Sequence, residues 1–343
     1  MTLPAILPQQ QETVERMFQL VQIDRYEAFN FCEAALAMAR AAHDDAAFVV
    51  VALQYGQVID QHGYPEASIQ RLAEAAQLAS SYQALLEQAQ LLNMIGRAVY
   101  TRAEYRRAMQ AWIDCLELAD QLGEIELWVW AQLGIAQIYD ALGDSLTATA
   151  LLQKAEPRVR SLSRGHCLFH ILMNLGVNLF RIERYDEAMQ AYQEALLVAR
   201  ELEHQSDIAE ILFRIAELLL LQGKQDECLV HLDEAKTYAL QSCHTWTLAN
   251  IYGIRADVYA ARQQLARALK ELQAAIDFAA GSGSRHIQLR LLIKQAKWAE
   301  QVKDSALELK ALRESEQLRQ KLCESTLQQY LAELGNLDGS QRA

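Results

Sequence analysis

Two histidines four residues apart, His166 and His170 in GHCLFH, are where the spacing of this sequence comes nearest to local chemistry. On a helix, positions i and i+4 share a face, so two imidazoles there can chelate one ion, with Cys167 beside the first. A metal site normally takes a third and a fourth ligand, and none stands in sequence reach, so no metal and no cofactor are expected. The structural alternative has His166 closing a unit boundary and His170 facing a groove. Signatures of other chemistries are missing: there is no glycine-rich phosphate loop, no G-x-S-x-G and no H-E-x-x-H. The six cysteines, at 32, 115, 167, 228, 243 and 323, never form a C-x-x-C pair. Glu183, Asp186 and Glu187 fall at predicted turns and helix starts, where carboxylates suit the helix dipole. No catalytic residue is expected, and the chain reads as a non-enzyme.

The elements that must position these residues follow from composition. The 343 residues are 52% apolar and 22% charged, which is a globular balance. Gly (14) and Pro (4) are too scarce to punctuate the turns of an all-β or α/β chain. Alanine stands at 53 positions beside abundant Leu, Gln and Glu, the mixture of a helix former. The expected class is all-α. Lys and Arg total 32 against 44 Asp and Glu, a net charge of −12 that disfavours nucleic acid as a partner. Cysteines scattered through a long helical chain suggest a reduced, cytoplasmic setting. The N-terminus, MTLPAILPQQQETVERM, lacks the basic start of a signal peptide. The longest apolar run, AAFVVVAL at 46–53, is far short of the roughly 20 residues that cross a bilayer, so no membrane partner is expected.

The chain repeats itself every forty residues. Stepping from Gly176 gives Arg16, Gly56, Gly96, Ala136, Gly176, Ala216, Ala256 and Ala296. Twelve residues later in each unit come Ala28, Ser68, Ala108, Ala148, Ala188, Cys228, Ala268 and Glu308. Seven further on are Ala35, Ala75, Cys115, Ala155, Ala195, Ala235, Ala275 and Ser315. Gly, Ala, Ser and Cys fill 22 of these 24 positions, where their overall share, 87 of 343, would give about six. A large column, Cys32, Leu72, Trp112, Leu152, Tyr192, Leu232, Leu272 and Leu312, keeps the same step. Small residues let helices approach and large ones fill the groove between them, as stacked helix pairs require. The breakers QHGYP, ALGD and LQGK split each unit into two helices of about sixteen residues, and HDD, SSYQ, SLSRGH, EHQS and GSGS separate the units. Pro65 is placed in an intra-unit turn and Pro157 just after a second helix.

LGVNLFRIERYDEAMQAYQEAL (175–196) and IGRAVYTRAEYRRAMQAWIDCL (95–116) carry the small, aromatic and alanine spacing of the tetratricopeptide repeat, which the chain resembles over residues 10–315. The usual repeat is about 34 residues. This longer unit is similar to those of bacterial MalT-like activators, peptide-pheromone receptors and diguanylate-cyclase sensory domains. The resemblance implies a right-handed α-solenoid of about eight helix-turn-helix units. It also implies that the first helix of each unit lines a concave groove, with positions six before, three before, one after and four after the first small column facing inward. Those positions include Gln57, Asp60, Asn93, Arg97, Tyr100, Trp130, Gln137, Asp140, His170, Glu210, Glu217, Asn250 and Asp257, with Arg181 and Arg214 one position off the stripe. Amide side chains can both donate to and accept from a peptide backbone, and aromatic and Arg residues are typical anchors.

The expected organisation is an N-terminal segment at 1–9, the repeats at 10–315, and a C-terminal helix and tail at 316–343. Leu318, Leu322, Leu327, Leu331 and Leu334 suggest an amphipathic helix that either caps the last unit or signals, in which case a homodimer could form through it. The expected function is a non-enzymatic scaffold binding a protein or peptide in the concave groove. The alternative is the sensory input module of a bacterial signalling protein, of diguanylate-cyclase or transcription-regulator type, whose output domain is absent from this chain.

Overall fold

The computed structural model describes residues 3–23, 25–59, 66–160 and 165–340; the candidate Asp60 and the turn proline Pro65 lie outside them. Among the described residues there are sixteen helices, α1 (Pro8–Ile23) to α16 (Ser305–Ser340), and no strand. The working elements are α3 (Asp45–Val58), α5 (Leu85–Thr101), α6 (Tyr105–Leu122), α7 (Ile125–Ala141), α8 (Ser145–Val159), α9 (Gly165–Arg181), α10 (Tyr185–Glu201), α11 (Gln205–Leu221) and α13 (Thr245–Ala261). The chain divides into two compact units, Met1–Ala191 and Tyr192–Ala343.

The forty-residue period is built from two steps of twenty. Most helices are 17 residues long, as in α5 and α7, and three residues form most of the joints between them. A residue of positive φ recurs at 43, 83, 103, 123 and 143, then at every twentieth position from 183 to 303. Each closes the preceding helix in the same way. At the first, the Asp44 N–H donates to the Ala39 carbonyl at 2.9 Å and the His43 N–H to that of Arg40 at 3.1 Å. This is the Schellman arrangement, which satisfies carbonyls that a helix end would leave without donors. Glycine fills the strained position at 123, 143, 223 and 283, while Ala103, Glu183 and others accept left-handed φ near 60°. The described turns that carry these residues therefore have one geometry, both between units and within them. Their compositions differ because sequence outside the positive-φ position is free to vary.

Three helix starts are capped by aspartates, whereas the glutamates at the starts of α6 and α7, Glu104 and Glu124, make no such bond. Asp44 accepts from the Ala47 N–H, Asp144 from the Thr147 N–H, and Asp304 from the Leu307 N–H, each at 3.0 Å. The Thr147 amide and hydroxyl hold the Asp144 carboxyl below its ordinary pKa. Pro157 lies inside α8, not after it. Within the last turn it removes one hydrogen bond and leaves the rest of the helix intact. Likewise α16 runs unbroken through the expected boundary at 315/316, since no Gly or Pro interrupts its first thirty residues.

The repeat columns are the core. Every member of the third small column, from Ala35 to Ser315, is buried, as are Ala28, Ser68, Ala108, Ala148, Ala188, Cys228 and Ala268 of the second. The large column is buried from Cys32 to Leu272, and only at the last unit does it surface, with Leu312 at 48% exposure. In the first unit, Tyr55 is fully buried and hydrogen-bonds Glu33 and Ser68. Burial first, then its bond to Glu33, pushes its phenol up to about 12. Among the described residues, no helix is long and apolar enough to cross a membrane.

Candidate functional site

The first unit holds a cavity of about 830 Å³ lined by the first helices of its hairpins, α3, α5, α7 and α9. Its floor is Trp112 of α6, 1% exposed. Two glycines make room for that indole. A Cβ on Gly96 would lie 2.6 Å from the ring nitrogen, and one on Gly134 would lie 2.2 Å from Cε2. Both backbones therefore press against the ring, as no other residue allows. The indole N–H donates to Asn93 Oδ1 at 3.1 Å, so Asn93 orients the floor as well as lining the wall.

Six of the expected groove residues meet here: Gln57, Asn93, Arg97, Trp130, Gln137 and His170. Four amides, Gln57, Gln90, Asn93 and Gln137, share the cavity with the Arg97 guanidinium, the Glu124 and Glu126 carboxylates and the apolar Leu86, Met94, Leu127 and Leu133. At the His166 end the rings form one cluster. Trp130 packs against His166 at 5.9 Å and His170 at 5.3 Å between centroids, and Phe169 meets His170 at 5.1 Å. The Nε2 atoms of His166 and His170 stand 3.3 Å apart. Among the described residues, no group of three or more His, Cys, Asp or Glu side chains could hold a metal.

The other candidates go elsewhere. Tyr100, expected to face the groove, packs at 5.7 Å against both Tyr105 and Trp112. Burial, with Tyr105 and Asp140 nearby, raises its pKa. Asp140 accepts from the Arg181 guanidinium and from Ser145 Oγ at 3.5 Å. Both misplacements have one cause: at about 100° per residue, a position ten residues further along lies about 80° round the helix. Asp140 is thus engaged by the neighbouring hairpin, while Tyr100 packs within its own, onto α6. In the second unit, Arg214 stacks over Phe213 and Trp246 at 4.8 and 5.9 Å. It pairs loosely with Glu210 at 3.6 Å and Glu217 at 3.8 Å. Its Nε is buried with no hydrogen-bond partner. Burial raises the Glu210 pKa, against the pull of Arg214. Asn250 Nδ2 donates back to the Trp246 carbonyl at 2.9 Å, and Asp257 is held by Lys294 at 2.6 Å.

The residues that were missed obey the same rule as those found. Gln90 is six before Gly96 and belongs to the stripe already drawn. Leu86, Glu126 and His166 each stand ten before the small column, so extending the stripe by one turn towards the helix starts reaches all three. Trp112, in contrast, was legible only as packing.

The sequence comparisons agree with this architecture. Residues 168–239 match the model of the tetratricopeptide repeat. No curated protein matches the sequence. The apo form of the quorum sensor NprR from B. thuringiensis is 13% identical with a TM-score of 0.71, over 90% of this chain and 87% of that one. Aspartyl phosphate phosphatase F from Bacillus subtilis is 12% identical with a TM-score of 0.67, over 93% and 97%. A Rap protein complexed with competence and sporulation factor is 13% identical with a TM-score of 0.59, over 93% and 100%. At such identities the likeness is one of fold. Matched repeat, buried columns and shared fold together give this chain the fold of a tetratricopeptide-like helical solenoid, with the repeat itself matched over residues 168–239.

Proposed function

We propose that the protein is a peptide-binding scaffold whose ligand lies in the cavity of the first unit, along α5, α7 and α9. The observation that carries this reading is the cavity's lining: four amides, one guanidinium and a ring cluster around about 830 Å³. That volume falls within the roughly 300–1,000 Å³ typical of ligand sites. The amides can pair with peptide N–H and C=O groups, while Trp130 and Arg97 are of the types that dominate interface energetics. Two similar folds support the reading, one described as a quorum sensor and one as complexed with a factor. A second reading, a regulatory input module, draws on the 36-residue α16, about twice the length of the 17-residue α15 (Arg285–Gln301) before it.

The test is selection of a displayed random linear-peptide library on the purified chain, followed by calorimetry with the enriched peptides. Arg97→Ala with Gln137→Ala should weaken binding at least about tenfold, the effect expected of lost anchors. The exposed pair Glu187→Ala with Gln190→Ala on α10 should leave affinity unchanged. No enrichment, or peptides indifferent to the first pair, would overturn the proposal.

A further inference from the structure

We infer that His166 and His170 form a two-nitrogen chelate for a zinc-class divalent cation, opening into the cavity of the first unit. Three observations carry it. The first is distance: both Nε2 atoms converge, 3.3 Å apart. Two nitrogens bound at about 2.05 Å to one tetrahedral zinc are about 3.3 Å from each other. In the metal-free chain the same convergence is a hydrogen bond in which one imidazole donates and the other accepts.

The second is preorganisation. A histidine pair on an open helix must give up rotamer freedom to close on an ion. Here Trp130 packs against both imidazoles and Phe169 against His170. The two rings themselves meet edge-on, with centroids 4.5 Å apart. These ring contacts restrict both imidazoles, so less rotamer freedom is left to lose when the pair closes on an ion.

The third is electrostatic and chemical. Glu124 and Glu126 line the same cavity as the Arg97 guanidinium, so the cation would enter a site whose wall carries two carboxylates against one fixed positive charge. Imidazole nitrogens suit zinc, cobalt, nickel and copper, whereas magnesium and calcium prefer oxygen sites. With two protein ligands, the remaining coordination positions go to water or to a group of an incoming ligand. The site therefore keeps open positions, which a closed four-ligand structural zinc site lacks. The chelate stands independently of the peptide reading, because its probe is the metal alone.

The experiment titrates the full chain with Co²⁺ and with Zn²⁺, following the visible cobalt absorption and calorimetric heat. One equivalent should bind, and it should raise the melting temperature, as any ligand of the folded state does. His170→Ala and His166→Ala should each weaken binding at least about tenfold, since one imidazole remains of a two-nitrogen site. The exposed His166 gives a variant whose fold is not at risk, and melting in chelator checks both. His286→Ala and Cys243→Ser, at two other exposed metal-capable side chains, should bind as before. No binding by the unaltered chain, or binding that survives both His166→Ala and His170→Ala, would overturn the inference.

Discussion

Alanine in place of Gly134 is the sharpest test of how the cavity floor is held. Within a helix, glycine to alanine is normally favourable by about 0.8–1.0 kcal/mol. At Gly134 the new methyl would sit 2.2, 2.4 and 2.5 Å from Cε2, Cδ2 and Cζ2 of Trp112. The indole cannot swing away, because Gly96 presses on its other edge at 2.6–2.8 Å for a built Cβ and the Asn93 oxygen holds its N–H. Overpacking a filled core costs about 1–3 kcal/mol and sometimes more. Contact with three ring atoms at once puts this site at the upper end, so after the propensity gain the net loss should be about 2 kcal/mol. The control is Gly281, in α14 (Leu265–Gly281), where a Cβ would meet nothing within 4 Å. There the same substitution should stabilise by up to about 1 kcal/mol. Urea unfolding followed by far-ultraviolet circular dichroism reads both. Trp112→Leu should remove the clash, turning Gly134→Ala from destabilising to neutral or favourable in that background, a coupling a double-mutant cycle isolates. Equal responses at Gly134 and Gly281, or a Gly134 penalty untouched by Trp112→Leu, would refute the packing described for the floor.

Two further outcomes follow from backbone and charge. Ala103 is held at φ 60° in a turn where Gly143, at the equivalent step, sits at 85°; Ala103→Gly should raise stability by about 0.5–1 kcal/mol and Gly143→Ala should lower it by a similar amount, since left-handed φ costs an L-residue about 1–2 kcal/mol. Equal signs in a denaturant titration would refute the turn assignment. Glu210 has its pKa raised by burial; the folded chain then binds this proton more tightly than the unfolded chain, so its contribution to stability declines as pH rises from the ordinary carboxylate range through the raised value. Glu210→Gln should flatten that part of the stability–pH curve, and an unchanged slope would show that the carboxyl does not titrate there.

Fold and site differ in how far the sequence reveals them, and the reason is physical. Ala188, Ala195 and Leu232 are buried wherever a hairpin stacks on the next, so their types recur at a fixed period and can be counted. The residues lining the cavity obey no such constraint, because a wet face tolerates many types. They were reached only through the geometry that the resemblance implied. That geometry located Gln57, Asn93, Arg97, Trp130, Gln137 and His170, but it treated the stripe as straight. Tyr100 and Asp140 fell on the wrong side of its drift, and Glu126 and His166 lay one turn beyond where it stopped. The twenty-residue turn geometry was hidden for a different reason: eight of the twelve described positive-φ positions are not glycine, so the most direct marker of a left-handed turn is missing from the sequence at those sites.

What sets the first unit's cavity apart is a departure from the repeat. Most large-column positions carry a residue of leucine size or smaller, such as Cys32, Leu72, Leu152, Leu232 and Leu272, and these vanish into the stack. At Trp112 the column carries an indole, too wide for a side chain to face it from either adjoining first helix. Gly96 and Gly134 answer that width, one on α5 and one on α7. The two glycines make room for the ring itself, and the amides and the ring cluster line the cavity over it. In a solenoid each packing rule is shared by every unit, so a rule kept cannot mark one place along the chain. A rule broken together with its compensation can, and here Trp112 and Gly134 break step while Gly96 keeps it, and the three together form and fit the floor of the cavity.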